Sequence, residues 1–249
     1  VLFEQMRTAG GFTATKLVQA RDILRNAINE TKKEDQVLNW LSFPACLMAT
    51  GTRGFFIEAI KSGSYNVIST TCGTLDHDIA RTFRQYYHGS FDLDDALLGD
   101  VGLNRLGNVI VPNECYGEIL EPIILPWLKE IEAERREKNP ENPWLGFGSV
   151  ELCWAFGDRI DDESSFLYHA AKHRIPIVIP GLSDGSIGAQ LFMHRQKSPE
   201  FMIDFLADEQ ILSDLTWTAK KSHALMVGGG ISKHHVIWWN QYRDGLDSA

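Results

Sequence analysis

The segment MVGGGISKHHVIWWNQ, residues 226–241, combines residue types that can do chemistry together. Three glycines end a short apolar run, and a lysine and two histidines follow at the predicted start of a helix. Glycines let a ligand approach backbone N–H groups, and the positive end of a helix dipole keeps a nearby imidazole neutral and able to accept a proton. The spacing matches neither the G-x-G-x-x-G fingerprint nor a P-loop. As a motif by spacing the segment is weak: a catalytic histidine is one interpretation, and the more common one is a structural pair, with one histidine packed into the protein and the other directed elsewhere.

Three further loops are rich in small residues, and each follows a predicted strand. They are FPACLMATG (residues 43–51), TTCGTLDHD (70–78) and GLSDGSIG (181–188). In a parallel α/β sheet the loops after the strands meet at one edge, where ligands bind. The same composition also suits a tight turn from strand to helix, so both roles are open. Asp184 in the third loop is a candidate helix N-cap, or a carboxylate directed at an amine.

Alternating strands and helices must position these loops. Short apolar or β-branched runs predict strands, and segments with helical periodicity predict helices between them. This alternation predicts one α/β domain, over residues 1–249, with a mainly parallel sheet covered by helices on both faces. The stretch ETKKEDQ (30–36) is expected to be a loop. The predicted strands are VLNWLSF (37–43), YNVISTT (65–71), GNVIVP (107–112), IPIVIP (175–180) and HALMV (223–227). The predicted helices include residues 12–30, 50–63, 75–87, 124–138, 150–160, 164–173, 186–194, 208–221 and 232–245.

Composition limits the classes of partner. The formal net charge of −9 argues against nucleic-acid binding and suits a cationic ligand, or simply keeps the protein soluble. The four cysteines have no paired spacing, which predicts reduced thiols and no metal site. Neither a membrane-spanning apolar run nor a signal segment is present, so we expect a cytoplasmic protein. The acidic clusters FDLDDALLGD and FGDRIDDESS are expected to be solvated faces or helix starts. The Trp238–Trp239 pair is expected to lie in the core or at a subunit interface.

Five segments, in this order along the chain, resemble the deoxyhypusine synthase family: GFTATKLVQA, STTCGTLDHDIAR, LNRLGNVIVPNECY, IPIVIPGLSDGSIG and ALMVGGGISKHH. The stretch GISKHHVIWWNQYRDGLD is particularly similar to archaeal members, and the resemblance covers nearly the whole chain. It implies a Rossmann-like α/β domain in a homotetramer, with active sites at the interfaces of tight dimers. It also implies an enzyme that uses NAD to dehydrogenate spermidine. The aminobutyl group then passes through an enzyme lysine to a lysine of the translation factor 5A precursor, which forms deoxyhypusine.

The resemblance also assigns roles to residues. The polyamine-contacting acid of the DGS motif is Asp184, and the base in dehydrogenation is His234, which also lies beside the polyamine. The family's acidic pair corresponds to Asp76 and His77, where the histidine departs from the double acid of eukaryotic members. These roles agree with the chemistry, because hydride removal requires a neutral amine and a cationic polyamine requires carboxylates. The positions implied to contact NAD are Ala45, Cys46, Ala49, Thr71, Cys72, Gly73, Gly228 and Gly229.

The chain departs from the family pattern at its end, RDGLDSA. Members of the family continue there into another strand and then the segment with the nucleophilic lysine. Lys233 does not match that position and is not assigned the role. We expect a truncated chain, because a parallel sheet that ends before its last strands leaves an apolar edge exposed. Three alternatives stay open: a homospermidine synthase with putrescine as acceptor, a catalytically inactive regulatory paralogue, and an NAD-binding protein of unrelated chemistry.

Overall fold

The computed structural model describes residues 1–34, 36–141 and 144–249. Its strands are β1 (Val37–Ser42), β2 (Val67–Ser69), β3 (Tyr87–His88), β4 (Leu103–Leu106), β5 (Val109–Pro112), β6 (Leu145–Phe147), β7 (Ile177–Val178), β8 (Phe201–Ile203) and β9 (Lys221–Met226). Its helices are α1 (Leu2–Ala9), α2 (Ala14–Lys33), α3 (Cys46–Ala49), α4 (Arg53–Lys61), α5 (Gly73–Phe83), α6 (Asp95–Asp100), α7 (Gly117–Lys138), α8 (Ser149–Gly157), α9 (Phe166–Lys172), α10 (Ser186–Lys197), α11 (Phe205–Thr218) and α12 (Ile231–Asn240). Within these residues no helix is long and apolar enough to cross a bilayer.

The central sheet has four parallel strands in the order β7-β2-β1-β9. In the register of the sheet, Trp40 of β1 lies opposite Val67 of β2 on one side and Ala224 of β9 on the other. All six residues of β1 are buried, so polar and apolar residues do not alternate along this strand. The prediction of a mainly parallel α/β sheet is confirmed.

Helices cover both faces of this sheet. Successive strand residues point to opposite faces, so Leu38 and Trp40 pack in one buried cluster and Leu41 in another. The first cluster includes residues of α8, α11 and α12. The second includes residues of α4, α5, α7 and α9. Each strand therefore buries both of its sides, and the predicted two-sided cover is confirmed.

Several predicted elements differ from the observed ones. The strand GNVIVP does not join the parallel sheet, because β5 lies between β3 and β4 in a separate antiparallel sheet. The parallel pair β6–β8 was not predicted. The expected loop 30–36 is wrong in its first part, since α2 continues to Lys33 and places two lysines at the negative end of the helix dipole. The last helix ends at Asn240 and is followed by a 3₁₀ turn.

Candidate functional site

The four loops singled out in the sequence all leave the carboxyl edge of the central sheet, since its strands are parallel. Side chains join the first two loops: the backbone N–H of Ala45 donates to Thr71 Oγ1 at 3.1 Å, and Thr70 Oγ1 donates to the carbonyl oxygen of Phe43 at 2.7 Å. The backbone N–H of Val227 donates to the carbonyl oxygen of Ser42 at 2.8 Å, which brings in the loop after β9. These loops therefore form one connected surface.

The glycine turn after β9 has a backbone that other residues rarely adopt. Gly228 and Gly230 have φ values of +83° and +77°, in the left-handed region that favours glycine. A Cβ on Gly228 would lie 3.1 Å from Pro44 Cδ, whereas nothing lies within 4 Å of a Cβ on Gly229. Helix α12 starts at Ile231 without a side-chain cap. Open backbone beside an uncapped helix start fits the phosphates of a dinucleotide.

The two histidines of α12 have different surroundings. His235 is partly buried, with Nε2 3.3 Å from Glu209 Oε1, and burial lowers its pKa. His234 is exposed, and its ring lies 6.2 Å from that of Trp238 at an angle of 20°. The expectation that one histidine packs while the other points outward is confirmed. The tryptophans divide in the same way, because Trp239 is buried and Trp238 is 46% exposed.

Asp76 lies inside the protein and caps a helix from another part of the chain. Its Oδ2 accepts from the backbone N–H of Ser186 at 2.8 Å and from the hydroxyl of Tyr116 at 2.7 Å. Its Oδ1 accepts from the N–H of Ile187 at 2.8 Å. Burial raises the pKa of the Asp76 carboxyl. Its role in polyamine binding stays a prediction, and its carboxylate holds the start of α10.

Asp184 is exposed in the loop before α10. The N-cap of α10 is Gly185, which has no side chain to cap with, so the N-cap alternative for Asp184 is wrong. A Cβ on Gly185 would lie 2.7 Å from Cys72 Sγ and 2.8 Å from Asp76 Oδ2. Close packing against the loop after β2 therefore requires glycine beside Asp184. The predicted ligand role of the Asp184 carboxylate stays a prediction.

His77 faces a cavity of about 690 Å³ between the β4–β5 hairpin and the start of α7. Its Nδ1 lies 2.9 Å from the hydroxyl of Tyr86, and Tyr116, Glu118 and Glu121 also line the cavity. Burial, followed by the positive charge of Arg81, lowers the pKa of His77 to about 4. The imidazole is therefore neutral near pH 7.

The cysteines of the candidate site are thiols. Cys72 is buried, and burial with the nearby Asp76 charge raises its pKa to about 12. Cys46 is exposed at the first turn of α3, and all four cysteines are free. Gly73 packs against the first loop, because a Cβ there would lie 2.9 Å from Ala45 Cβ. Among the described residues, no group of three or more His, Cys, Asp or Glu side chains could hold a metal ion.

A family model described as deoxyhypusine synthase matches residues 1–249. The chain belongs to the deoxyhypusine synthase family. A curated relative from Picrophilus torridus, named "Probable deoxyhypusine synthase", is 50% identical over 97% of this chain and 73% of its own length. A relative of the same name from Thermoplasma acidophilum is 47% identical over 100% of this chain and 76% of its own. The suspected resemblance is thereby confirmed, and the chain is classed as a transferase.

A solved structure supports the fold. A crystal structure of an Entamoeba histolytica protein assigned as a deoxyhypusine synthase superposes with a TM-score of 0.69 at 21% identity. The match covers 91% of this chain and 74% of that one. This similarity concerns the fold alone, and it supports the mixed α/β architecture.

Sequence reasoning missed the residues that hold the deoxyhypusine synthase loops in place. Asp76 was predicted only as a polyamine ligand, and Ser69 was not predicted at all; the Ser69 hydroxyl donates to the carbonyl oxygen of Ser232 at 3.0 Å and ties α12 to β2. Arg81 of α5 donates to the carbonyl oxygens of Met48 and Thr50 at 2.7 and 2.6 Å. A charged side chain at a buried helix position signals a required partner, but the sequence does not identify that partner.

Proposed function

We propose that this chain catalyses the NAD-dependent transfer of the aminobutyl group of spermidine to a lysine of the translation factor 5A precursor, forming deoxyhypusine. The observation that carries the proposal is the convergence of the four small-residue loops at the carboxyl edge of the parallel sheet. That edge is where α/β proteins bind dinucleotides. Family membership supplies the class of reaction.

NAD, when bound, supplies the acceptor for the hydride taken from spermidine. The residues suited to hold it are Ala45, Cys46, Ala49, Thr71, Cys72 and Gly73 of the first two loops, with Gly228 and Gly229 of the glycine turn after β9. The backbone at Gly229 is open and the start of α12 is uncapped, so main-chain N–H groups are available to a diphosphate. Tight contact between Gly73 and Ala45 keeps the two loops together.

His234 is the proposed base. A hydride leaves an amine-bearing carbon only when the amine is neutral, so a group must take its proton first. His234 is exposed in the first turn of α12, beside the glycine turn after β9. Its neighbour His235 is partly buried and turned towards Glu209, which leaves His234 as the exposed histidine of the pair.

Carboxylates select the polyamine. Asp184 is exposed beside the site and is the acid suited to an ammonium end of spermidine. Asp76 and His77 are the other residues proposed to contact the polyamine. Both carboxylate oxygens of Asp76 also accept hydrogen bonds from protein groups. A net charge of −9 attracts a polycation to the molecule as a whole.

We further propose a cytoplasmic homotetramer with sites at dimer interfaces. The exposed side chains of Trp217, Trp238 and Tyr242 form a ring cluster that continues from His234, and such clusters are typical of subunit contacts. Four free cysteines agree with a reducing compartment.

The test is an acceptor assay with the full product of the gene that encodes this chain. NAD and spermidine are supplied with either the purified factor 5A precursor or putrescine. We expect release of 1,3-diaminopropane and a gain of one aminobutyl group on one factor lysine, both dependent on NAD. Transfer to putrescine instead would identify a homospermidine synthase. Binding of a catalytic relative, with no diaminopropane released by this protein alone, would identify a regulatory subunit.

A further inference from the structure

A second cavity, of about 460 Å³, lies between the start of α4 and the end of α5. Three arginines line it: Arg53, Arg81 and Arg84. No carboxylate is found among the described residues of its wall, although the chain as a whole carries a net charge of −9. The remaining lining residues are Gly51, Gly54, Ile57, Gln85, Tyr86 and Ser164.

Internal partners neutralise only part of this positive charge. Arg53 is 7% exposed, and its Nε lies 3.1 Å from Asp78 Oδ1. The same carboxylate accepts from the Ser165 hydroxyl at 2.7 Å and from two backbone N–H groups at the start of α9. Arg81 donates to two backbone carbonyls, which are neutral acceptors. One carboxylate therefore faces two guanidinium groups.

Arg84 adds a third guanidinium at the mouth of the cavity. Its side chain is exposed and donates to the neighbouring carbonyl oxygen of Phe83 at 3.0 Å. Within the described residues no carboxylate lies within ion-pair distance of Arg84. The positive charges repel one another: the pKa of Arg81 is lowered by burial and, in addition, by the charge of Arg53. The cavity therefore holds an excess of positive charge.

The backbone at the start of α4 adds hydrogen-bond donors to the same wall. The N-cap of this nine-residue helix is Thr52, whose hydroxyl donates to the carbonyl oxygen of Leu47 at 2.6 Å instead of capping the helix. Nothing lies within 4 Å of a Cβ built on Gly51 or Gly54, so a ligand can approach the backbone there. Arg53 and Gly54 at this helix start line the same cavity, so the unpaired N–H groups of the first turn and the positive end of the dipole lie at its wall.

We propose that this cavity binds a phosphate group, as inorganic phosphate or as part of a phosphorylated small molecule. A phosphate dianion matches the two uncompensated charges, and guanidinium groups pair with its oxygens in bidentate geometry. Backbone N–H groups at a helix start supply further donors to such an anion. The volume also accommodates a larger molecule that carries the phosphate. This inference is independent of the transferase reaction, since it concerns binding alone.

Titration calorimetry at constant ionic strength tests the proposal with pyrophosphate and inorganic phosphate as probes. Arg84→Gln removes an exposed guanidinium of the cavity, and Arg25→Gln removes an exposed arginine of α2 as the matched control. We expect Arg84→Gln to lower the affinity for the probes about tenfold, because it removes one charge-assisted hydrogen bond. Arg84→Lys should restore part of this affinity, because it keeps the positive charge. Arg25→Gln should bind as the wild type does.

Equal affinity in wild-type protein and Arg84→Gln, or no binding of either probe, would overturn the proposal. A second arm repeats the titration with saturating NAD. If NAD abolishes an Arg84-dependent phosphate signal, the cavity belongs to the cofactor site and the proposal of a separate phosphate site is overturned. If the signal persists, the cavity takes a separate phosphate compound. Loss of transferase activity with phosphate binding retained would count against the proposed function and not against this site.

Discussion

Two adjacent histidines on one helix need not share a role, because consecutive helical residues point about 100° apart. His235 turns towards Glu209, and His234 turns outward beside Trp238. We expect His234→Ala to lower NADH formation from spermidine by about 10²- to 10⁴-fold, the usual contribution of a general base. Stopped-flow or steady-state absorbance of NADH measures the loss.

The matched control is His173→Ala. His173 is also exposed, but it precedes β7 and therefore lies towards the opposite edge of the sheet. This control should retain full activity, and both variants should unfold at the wild-type denaturant concentration. Unchanged turnover in His234→Ala would remove this imidazole from the mechanism.

His77 makes stability depend on pH in a predictable direction. Its pKa is about 4 in the folded chain, below the ordinary histidine value of 6.5, so below pH 6.5 the unfolded chain takes up a proton that the folded chain does not. The free energy of unfolding is therefore undiminished above about pH 6.5 and falls as the pH drops towards 4, by at most about 1.4 kcal/mol per pH unit for one proton. His77→Gln should remove this contribution, because glutamine does not titrate and keeps a polar group near Tyr86. Urea unfolding from pH 4 to 7 measures it, and parallel curves for the two proteins would contradict it.

Residue types in the loops after the strands could be predicted as site candidates, but their neighbours could not. Asp76 and Asp184 are both acids in segments that follow predicted strands, and yet Asp76 is fully buried and Asp184 is exposed. The difference comes from α10, whose first N–H groups meet Asp76 across 110 residues of chain. Such a contact depends on how helices pack, and local sequence patterns do not contain that information.

Helix starts in this fold are held by buried carboxylates from other elements. Asp76 caps α10, Asp78 caps α9, and Asp208 of α11 accepts from the backbone N–H groups of Ser149 and Val150 at the start of α8. Each bond joins two helices and satisfies N–H groups that would otherwise be unpaired inside the protein. These acids therefore fix the relative positions of helices in addition to stabilising each one.

Asp208→Ala should lower the free energy of unfolding by about 3 kcal/mol, because it leaves two buried N–H groups without an acceptor. The matched comparison is Asp94→Ala at the exposed start of α6, where Asp94 also accepts from two N–H groups. Water can replace that carboxylate, so the expected loss is about 1 kcal/mol. Chemical denaturation compares the two variants. Equal losses would show that burial adds nothing to the cap at α8.

Elements with strong patterns were predictable, and short ones were not. The sequence predicts β1 from its short run of mostly apolar residues and α2 from its helical periodicity. Strands β6 and β8 have three residues each, too few for a period to emerge, and they form only through pairing with each other. The partner of β5 is set by the hairpin with β4, whose turn at Gly107 has a φ of +63°. Closing the short loop of a hairpin costs less conformational entropy than closing the longer loop that would bring β5 into the central sheet.

At the scale of the whole molecule, one group of exposed aromatic side chains extends from His234 at the start of α12 to the end of α11. Trp217, Trp238 and Tyr242 form a contiguous ring cluster, with centroids 6.3 to 6.5 Å apart along the series. Phe205 and Leu206, at the start of α11, are exposed as well. Large exposed apolar clusters are typical of surfaces covered by another subunit.

Trp217→Glu tests the proposed homotetramer, because a carboxylate in the middle of a buried contact is costly whereas one in water is not. Trp217 is 64% exposed in the isolated chain, so the substitution should leave the folded subunit intact. We expect wild-type protein to sediment with the mass of four chains and Trp217→Glu to sediment as a smaller species at the same concentration. Phe12→Glu is the control, since Phe12 is also exposed but lies between α1 and α2. Because the active sites are proposed at dimer interfaces, spermidine turnover should fall together with the loss of assembly and recover at higher protein concentration. A wild-type protein that sediments as one chain while fully active would contradict both the assembly and the shared sites.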